Sequence, residues 1–126
     1  MFEELYSEAL KHAVQFKASS KLISGQVGAA LLSEDGVIYS GVSINTPCSL
    51  GFCAEHSAVA ALLLDRKSKV ISIVAVDDEG VVMPPCGRCR QLILFLHQHN
   101  RESIVYIDNN AACKTINELM PFSKGA

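Results

Sequence analysis

Two thiol-bearing segments constrain this chain more than anything else in it. The first is Cys53-Ala54-Glu55, and the second is Pro84-Pro85-Cys86-Gly87-Arg88-Cys89-Arg90-Gln91. Cys86 and Cys89 stand three apart where a helix is expected to begin, and residues at that spacing are neighbours on one helix face. Such a pair can hold a metal ion if a third thiol arrives from elsewhere, and Cys53 is the obvious donor. Three protein sulfurs leave one tetrahedral position open, the arrangement of a catalytic zinc rather than a closed structural one. The fold must therefore bring together two segments that lie 33 residues apart.

Cys53 opens a second run of helix formers, so two helix N-termini can converge on one ion. Their partial positive charge and free N–H groups lower thiol pKa and favour the thiolate. Zinc with three thiolates carries a net −1, which Arg88 and Arg90 in the same short segment are placed to offset. Glu55, two residues past the third thiol, is poised to move protons on whatever occupies the open position. As an ordinary first-turn glutamate it would give its helix only roughly a few tenths of a kcal/mol. A fourth protein ligand would close the site, so His56 is expected to contact the sulfurs without joining them. Cys-Gly-Arg-Cys alone reads equally as a redox pair ahead of a helix; Cys53-Ala54-Glu55 and Pro85 favour metal. Cys48 and Cys113 are expected to be bystanders.

Around these segments the pattern predicts an amphipathic helix over 3–17, with Leu5, Ala9, Ala13 and Phe16 on one face and His12 at the surface. Strands over Val27–Leu32 and Val37–Val42 flank Ser33-Glu34-Asp35-Gly36, a hairpin cue. Gly28-Ala29-Ala30 is almost free of bulk, so a helix or a ligand packs closely there. Helices are expected over Cys53–Leu64, Cys86–His97 and Thr115–Leu119, and strands over Val70–Val76 and Ile104–Ile107. Cys53–Leu64 is apolar on most faces and reads as buried. This order predicts a three-layer α/β/α domain with a mixed sheet of about five strands. With 126 residues, 49% of them hydrophobic, the chain is one domain's worth over 1–126 with a real core.

The motifs resemble those of the small, single-domain cytidine deaminases and their relative blasticidin-S deaminase. The likeness runs over most of the chain, through Val27-Gly28-Ala29-Ala30, Gly41-Val42, Cys53-Ala54-Glu55, Pro85-Cys86-Gly87-Arg88-Cys89-Arg90-Gln91 and Glu118-Leu119-Met120-Pro121-Phe122. The Pro-Cys-Gly-Arg-Cys-Arg-Gln stretch is most similar to the blasticidin-S branch. The resemblance implies one zinc per chain on Cys53, Cys86 and Cys89, activating water near neutral pH. It implies that Glu55 shuttles a proton from the water to the ring nitrogen and the departing amine, so that a cytosine ring becomes a uracil and ammonia is released. It also implies that the Ala54 N–H holds the ring carbonyl and that the Pro85 carbonyl meets the leaving amine. By the same resemblance the assembly is a homotetramer, with Phe122 completing a neighbouring site.

The chain departs from that pattern on the sugar side. The Asn and Glu that hold ribose hydroxyls in the family correspond to Ser43 and Asn45, and the loop to Cys53 is about one residue shorter. The aromatic that usually precedes the Val-Gly-Ala strand is Gly25, and the usual Arg after the catalytic Glu is His56. The substrate is thus either cytidine and deoxycytidine, in pyrimidine salvage, or an analogue such as blasticidin S, in detoxification. A redox or zinc-binding protein without turnover is the non-enzyme reading, and Glu55 separates the two. A net charge of −2 and 11 scattered Lys and Arg disfavour a polynucleotide-editing deaminase, which deamination of single-stranded DNA or RNA would revive, and favour a small-molecule substrate. The acidic start, Met1-Phe2-Glu3-Glu4, is no secretory signal, no apolar run reaches about 18 residues, and the odd set of five cysteines is no disulfide framework. A cytoplasmic protein without membrane contact is expected.

Overall fold

In the computed structural model, which describes residues 1–126, the chain forms four α-helices and six strands. In chain order these are α1 (Phe2–His12), β1 (Phe16–Ser19), β2 (Leu22–Ser33), β3 (Ile38–Asn45), α2 (Ala54–Leu64), β4 (Val70–Asp77), α3 (Gly87–Leu96), β5 (Ile104–Tyr106), β6 (Cys113–Thr115) and α4 (Ile116–Leu119). The strands make one mixed sheet. β2 carries β3 along one edge; β1 and then β4 pair along its other edge, all antiparallel. β4 runs parallel to β5, and β6 closes the far edge antiparallel to β5.

The sheet has six strands against an expectation of about five. β1 and β6 were hidden because Phe16–Ser19 is exposed throughout and Cys113–Thr115 is short and mostly exposed, so neither shows buried alternation. For the same reason α1 stops at His12 rather than running to 17. Ala13 leaves helical geometry and turns the chain into β1.

Period-two alternation divides β2 and β4 between two cores. Ala29 and Leu31 of β2, with Ile73 and Ala75 of β4, face α2 and α3 and meet Ala58, Val59, Leu62, Ile93 and Leu94. Ala30 and Leu32, with Val74 and Val76, face the other way onto Leu5 and Ala9 of α1. Helices therefore cover both faces of the sheet, and β4, buried on both sides from Ser72 to Val76, reads as a Val- and Ile-rich run broken only by Ser72.

Small residues set the layer spacing. A Cβ on Gly28 would lie 2.1 Å from the carbonyl oxygen of Ala9, so α1 is what packs against Gly28 and Ala30, while Ala29 between them meets α2 on the other face. On the opposite face a Cβ on Gly41 would lie 2.4 Å from the backbone N of Ala58, which seats α2 directly on β3. α2 is not buried all round: Ala54, Glu55, Ala58, Val59 and Leu62 are enclosed, but Leu63 and Leu64 face outward. Asn100, fully buried, fixes α3 to the sheet. Its Oδ1 accepts from the Val70 N–H at 2.9 Å, and its Nδ2 donates to the carbonyls of Ser68 and Ile93 at 3.0 Å. The hairpin between β2 and β3 turns through Gly36, at φ +84°, as the Asp-Gly signal predicts.

Candidate metal centre and active site

Two chain segments deliver the site at the carboxyl end of β4 and the mouth of β3. Beyond Asn45 the chain makes a short 3-10 turn, with Cys48 and Ser49 at positive φ. It then returns to β3, where Phe52 exchanges backbone hydrogen bonds with Ile44 at 3.0 and 3.1 Å. That closure sets Cys53 at the N-cap of α2. The second segment is tied to β4 by the Met83 N–H donating to the Ala75 carbonyl at 2.8 Å, and two prolines then aim Cys86 at the N-cap of α3.

The three thiols come together as expected. The Sγ atoms of Cys53 and Cys86 are 3.7 Å apart, those of Cys86 and Cys89 are 3.5 Å apart, and all three lie within 4.8 Å of one another. A tetrahedral ion with Zn–S distances of about 2.3 Å needs sulfurs about 3.8 Å apart, so the donor set fits zinc with little rearrangement. Cys48 and Cys113 are exposed and stand outside this group.

The helix N-termini act unequally on these thiols. Burial raises Cys86, but the backbone N–H groups of Cys89 and Arg88 and the neighbouring thiols outweigh it and leave its pKa low. Burial dominates at Cys53, with Cys86 and Glu55 adding to it, and its pKa rises although it too caps a helix. Cys89, fully enclosed, is driven well above the ordinary thiol range by burial and by the Glu55 charge. A divalent cation held by these thiols would reverse that balance, because a coordinating thiol gives up its proton outright.

A cavity of about 580 Å³ opens beside the sulfurs and is lined by Cys53, Ala54, Glu55, Cys86 and Arg88 at one end. Glu55 is only 5% exposed, and burial raises its carboxyl pKa against the pull of its own backbone N–H. Ala54 is fully buried at the first position of α2. His56 stands behind the wall, its Nδ1 3.4 Å from the Cys89 Sγ and its ring stacked on Phe52 at 6.2 Å between centroids. Burial and then the Arg88 guanidinium lower the His56 pKa toward the neutral ring.

The remaining expected residues are distributed less simply. Ser43 and Asn45 also line the cavity. Arg88 is exposed on its wall, whereas Arg90 turns to the backbone, donating from Nε to the Pro85 carbonyl at 2.8 Å and from a terminal nitrogen to the Leu119 carbonyl at 3.2 Å. Pro85 is buried, and Pro84 rather than Pro85 lines the cavity. Phe122 lies in the C-terminal tail, wholly exposed and away from this cavity. Gln26, Thr46 and Phe52 line the cavity without having been anticipated. Phe52, as the residue before the first thiol, could have been read; Gln26 could not, because a distortion of β2 brings it there.

A three-layer α/β domain that gathers three thiols and one buried carboxylate at the mouth of a cavity defines a zinc-dependent hydrolytic enzyme. Residues 3–106 match the cytidine and deoxycytidylate deaminase zinc-binding region, and the chain belongs to that family. It is 34% identical over 100 residues to a cytidine deaminase of Mycobacterium tuberculosis, covering 79% of this chain and 72% of the relative. It is 36% identical over 100 residues to a cytidine deaminase of Halalkalibacterium halodurans, covering 76% and 74%. The crystal structure of cytidine deaminase from Mycobacterium tuberculosis superposes with a TM-score of 0.79 at 30% identity, over 99% of this chain and 98% of that one.

Proposed function

We propose that residues 1–126 act as one domain that hydrolytically deaminates the cytosine ring of a small nucleoside, cytidine or deoxycytidine, to the corresponding uracil nucleoside and ammonia. The observation that carries this is the buried carboxylate of Glu55 facing the same cavity as Cys53 and Cys86, with Cys89 3.5 Å behind. Zinc bound by the three thiolates would supply the Lewis acidity that makes a water nucleophilic near neutral pH. Glu55 accepts a proton from that water and hands it to the ring nitrogen beside the amino-bearing carbon. The water oxygen bonds to that carbon as a hydroxyl; Glu55 then takes the remaining hydroxyl proton and passes it to the amino group, the C–N bond breaks, and ammonia leaves as the uracil carbonyl forms. The overall balance is one water consumed and one ammonia released.

The other residues bind and orient. The Ala54 N–H, at the unpaired start of α2, holds the ring carbonyl oxygen. By the family pattern alone the Pro85 carbonyl, buried beside the cavity and accepting from Arg90, would turn its second lone pair to the amino group; Ser43 and Asn45 face the non-base part. His56 donates toward Cys89 while Phe52 supports its ring, and Arg88 offsets the negative charge of three thiolates. These roles rest on the contacts described above and on the family pattern.

The altered sugar-side residues favour one further reading, deamination of an analogue such as blasticidin S. Ammonia release by zinc-loaded protein offered cytidine, deoxycytidine and blasticidin S separates the two. Turnover of the nucleosides is expected and makes pyrimidine salvage the role; turnover of blasticidin S alone replaces it with detoxification.

The same proposal makes the protein a cytoplasmic homotetramer acting on a small molecule, with no nucleic-acid or lipid partner. Five unpaired cysteines suit a reducing compartment, and no helix is long and apolar enough to cross a membrane. Phe122, at φ +66° and fully exposed, sits on a tail pinned by Gln91 Nε2 to the Lys124 carbonyl at 2.6 Å and by Arg101 to the Ser123 carbonyl. A pinned strap that throws its one aromatic outward suits contact with a second copy. Sedimentation is expected at four chain masses, and Phe122→Ala is expected to raise KM; a monomer with unchanged kinetics on substitution would defeat this part.

A further inference from the structure

The least regular stretch of the sheet forms part of the cavity wall. β2 and β3 pair at Ser24 with Ile44 and again at Gly28 with Val42, so three residues of β2, 25 to 27, stand opposite the single residue Ser43. Gly25 makes the distortion possible: its φ is +84°, and a Cβ there would lie 2.0 Å from the Val14 carbonyl oxygen. The bulge is clamped on both sides. The Val27 N–H donates to Ser43 Oγ at 3.0 Å, and the Gln26 carbonyl accepts from the Asp78 N–H at 3.1 Å. Ser43 is thus a support of the bulge, its oxygen already accepting a backbone bond.

What the bulge presents to the cavity is the side chain of Gln26. Its Oε1 accepts from Asn45 Nδ2 across the two strands. One shared bond leaves both N–H groups of Gln26 Nε2 as donors and Asn45 Oδ1 as an acceptor. The next residue, Thr46, also lines the cavity and has an Oγ1 shielded from solvent without a partner. Glu55, beside the thiols, is the single acidic side chain on the cavity wall.

We infer that Gln26, held by the bulge and paired with Asn45, is a specificity-determining residue that reads adjacent hydroxyl groups on the substrate's non-base part through a neutral donor–acceptor pair. A hydroxyl both donates and accepts, so two on neighbouring carbons match an amide N–H beside an amide carbonyl. A carboxylate, which only accepts, would engage two hydroxyls by a different pattern. This inference rests on the deaminase reading and extends it to the substrate's sugar.

The test is steady-state deamination of cytidine and 2′,3′-dideoxycytidine by the zinc-loaded wild type, Gln26→Ala, Asn45→Ala and the double variant. Zinc content and thermal midpoint serve as folding controls. For cytidine each single change is expected to raise KM about tenfold, the scale of a lost neutral hydrogen bond, with kcat nearly constant. The double variant is expected to lose less than the product of the two, because the pair acts as a unit. The loss on 2′,3′-dideoxycytidine is expected to be several-fold smaller. Unchanged cytidine kinetics in Gln26→Ala, or equal losses on both substrates, overturn the inference while wild-type turnover keeps the deaminase reading intact. A zinc-loaded wild type that turns over no cytosine nucleoside overturns both.

Discussion

Glu55→Gln is expected to lower cytidine deamination about 10⁴-fold, the upper range for loss of a positioned proton-transfer group, with zinc still bound at one per chain. The substitution keeps the shape of a side chain that is 5% exposed at the foot of the cavity. It removes the ability to take a proton from water and return it to the ring and the amine. Burying an amide is less costly than burying a carboxylate without a partner charge, so the thermal midpoint should hold or rise. Loss of turnover with zinc and fold intact separates proton transfer from metal binding. Retention of more than about a tenth of the activity would remove Glu55 from the reaction and favour a redox or zinc-binding protein instead.

Cys89→Ser is expected to have an effect as large by a different route. Cys89 is fully buried, 3.5 Å from Cys86, and receives the His56 contact. Losing one of three thiolates should weaken zinc binding more than the roughly 10–100-fold typical of outer contacts, and turnover should go with it. Because bound metal stabilises the fold that holds it, the thermal midpoint should fall as well. Cys48→Ser and Cys113→Ser, at exposed thiols outside the cluster, should keep zinc, turnover and stability. Zinc content measured across the three variants decides this; full zinc in Cys89→Ser would mean a different ligand set.

The parts of the site that were legible from the sequence are those in which chemistry and local geometry coincide. Cys86 and Cys89 share a helix start by spacing alone, and Cys53-Ala54-Glu55 opens the next helix formers, so their meeting needs only that two N-termini converge. The hairpin through Gly36 and the two-faced burial of β4 were legible for similar reasons, each carrying a local signal. Where burial was absent the pattern was silent. β1 has no buried position, and the chain from Ala13 onward kept helical spacing although it had already turned toward the sheet. Leu63 and Leu64 are apolar yet face outward, which periodicity cannot tell from burial. The sugar-side end was least legible. Gln26 reaches the cavity through a bulge permitted by Gly25 and clamped by Ser43, three residues whose relation exists only once β2 and β3 are paired. Arg90, likewise, looked like a partner for the sulfurs and instead holds the carbonyls of Pro85 and Leu119.

The most direct measurement is a zinc titration of metal-free protein in which ammonia and uridine formed from cytidine are followed at each addition. Activity should rise linearly and stop at one zinc per chain, with the two products in equal amounts. Protein that is folded and fully loaded yet releases no ammonia, or that deaminates equally without zinc, would contradict the account.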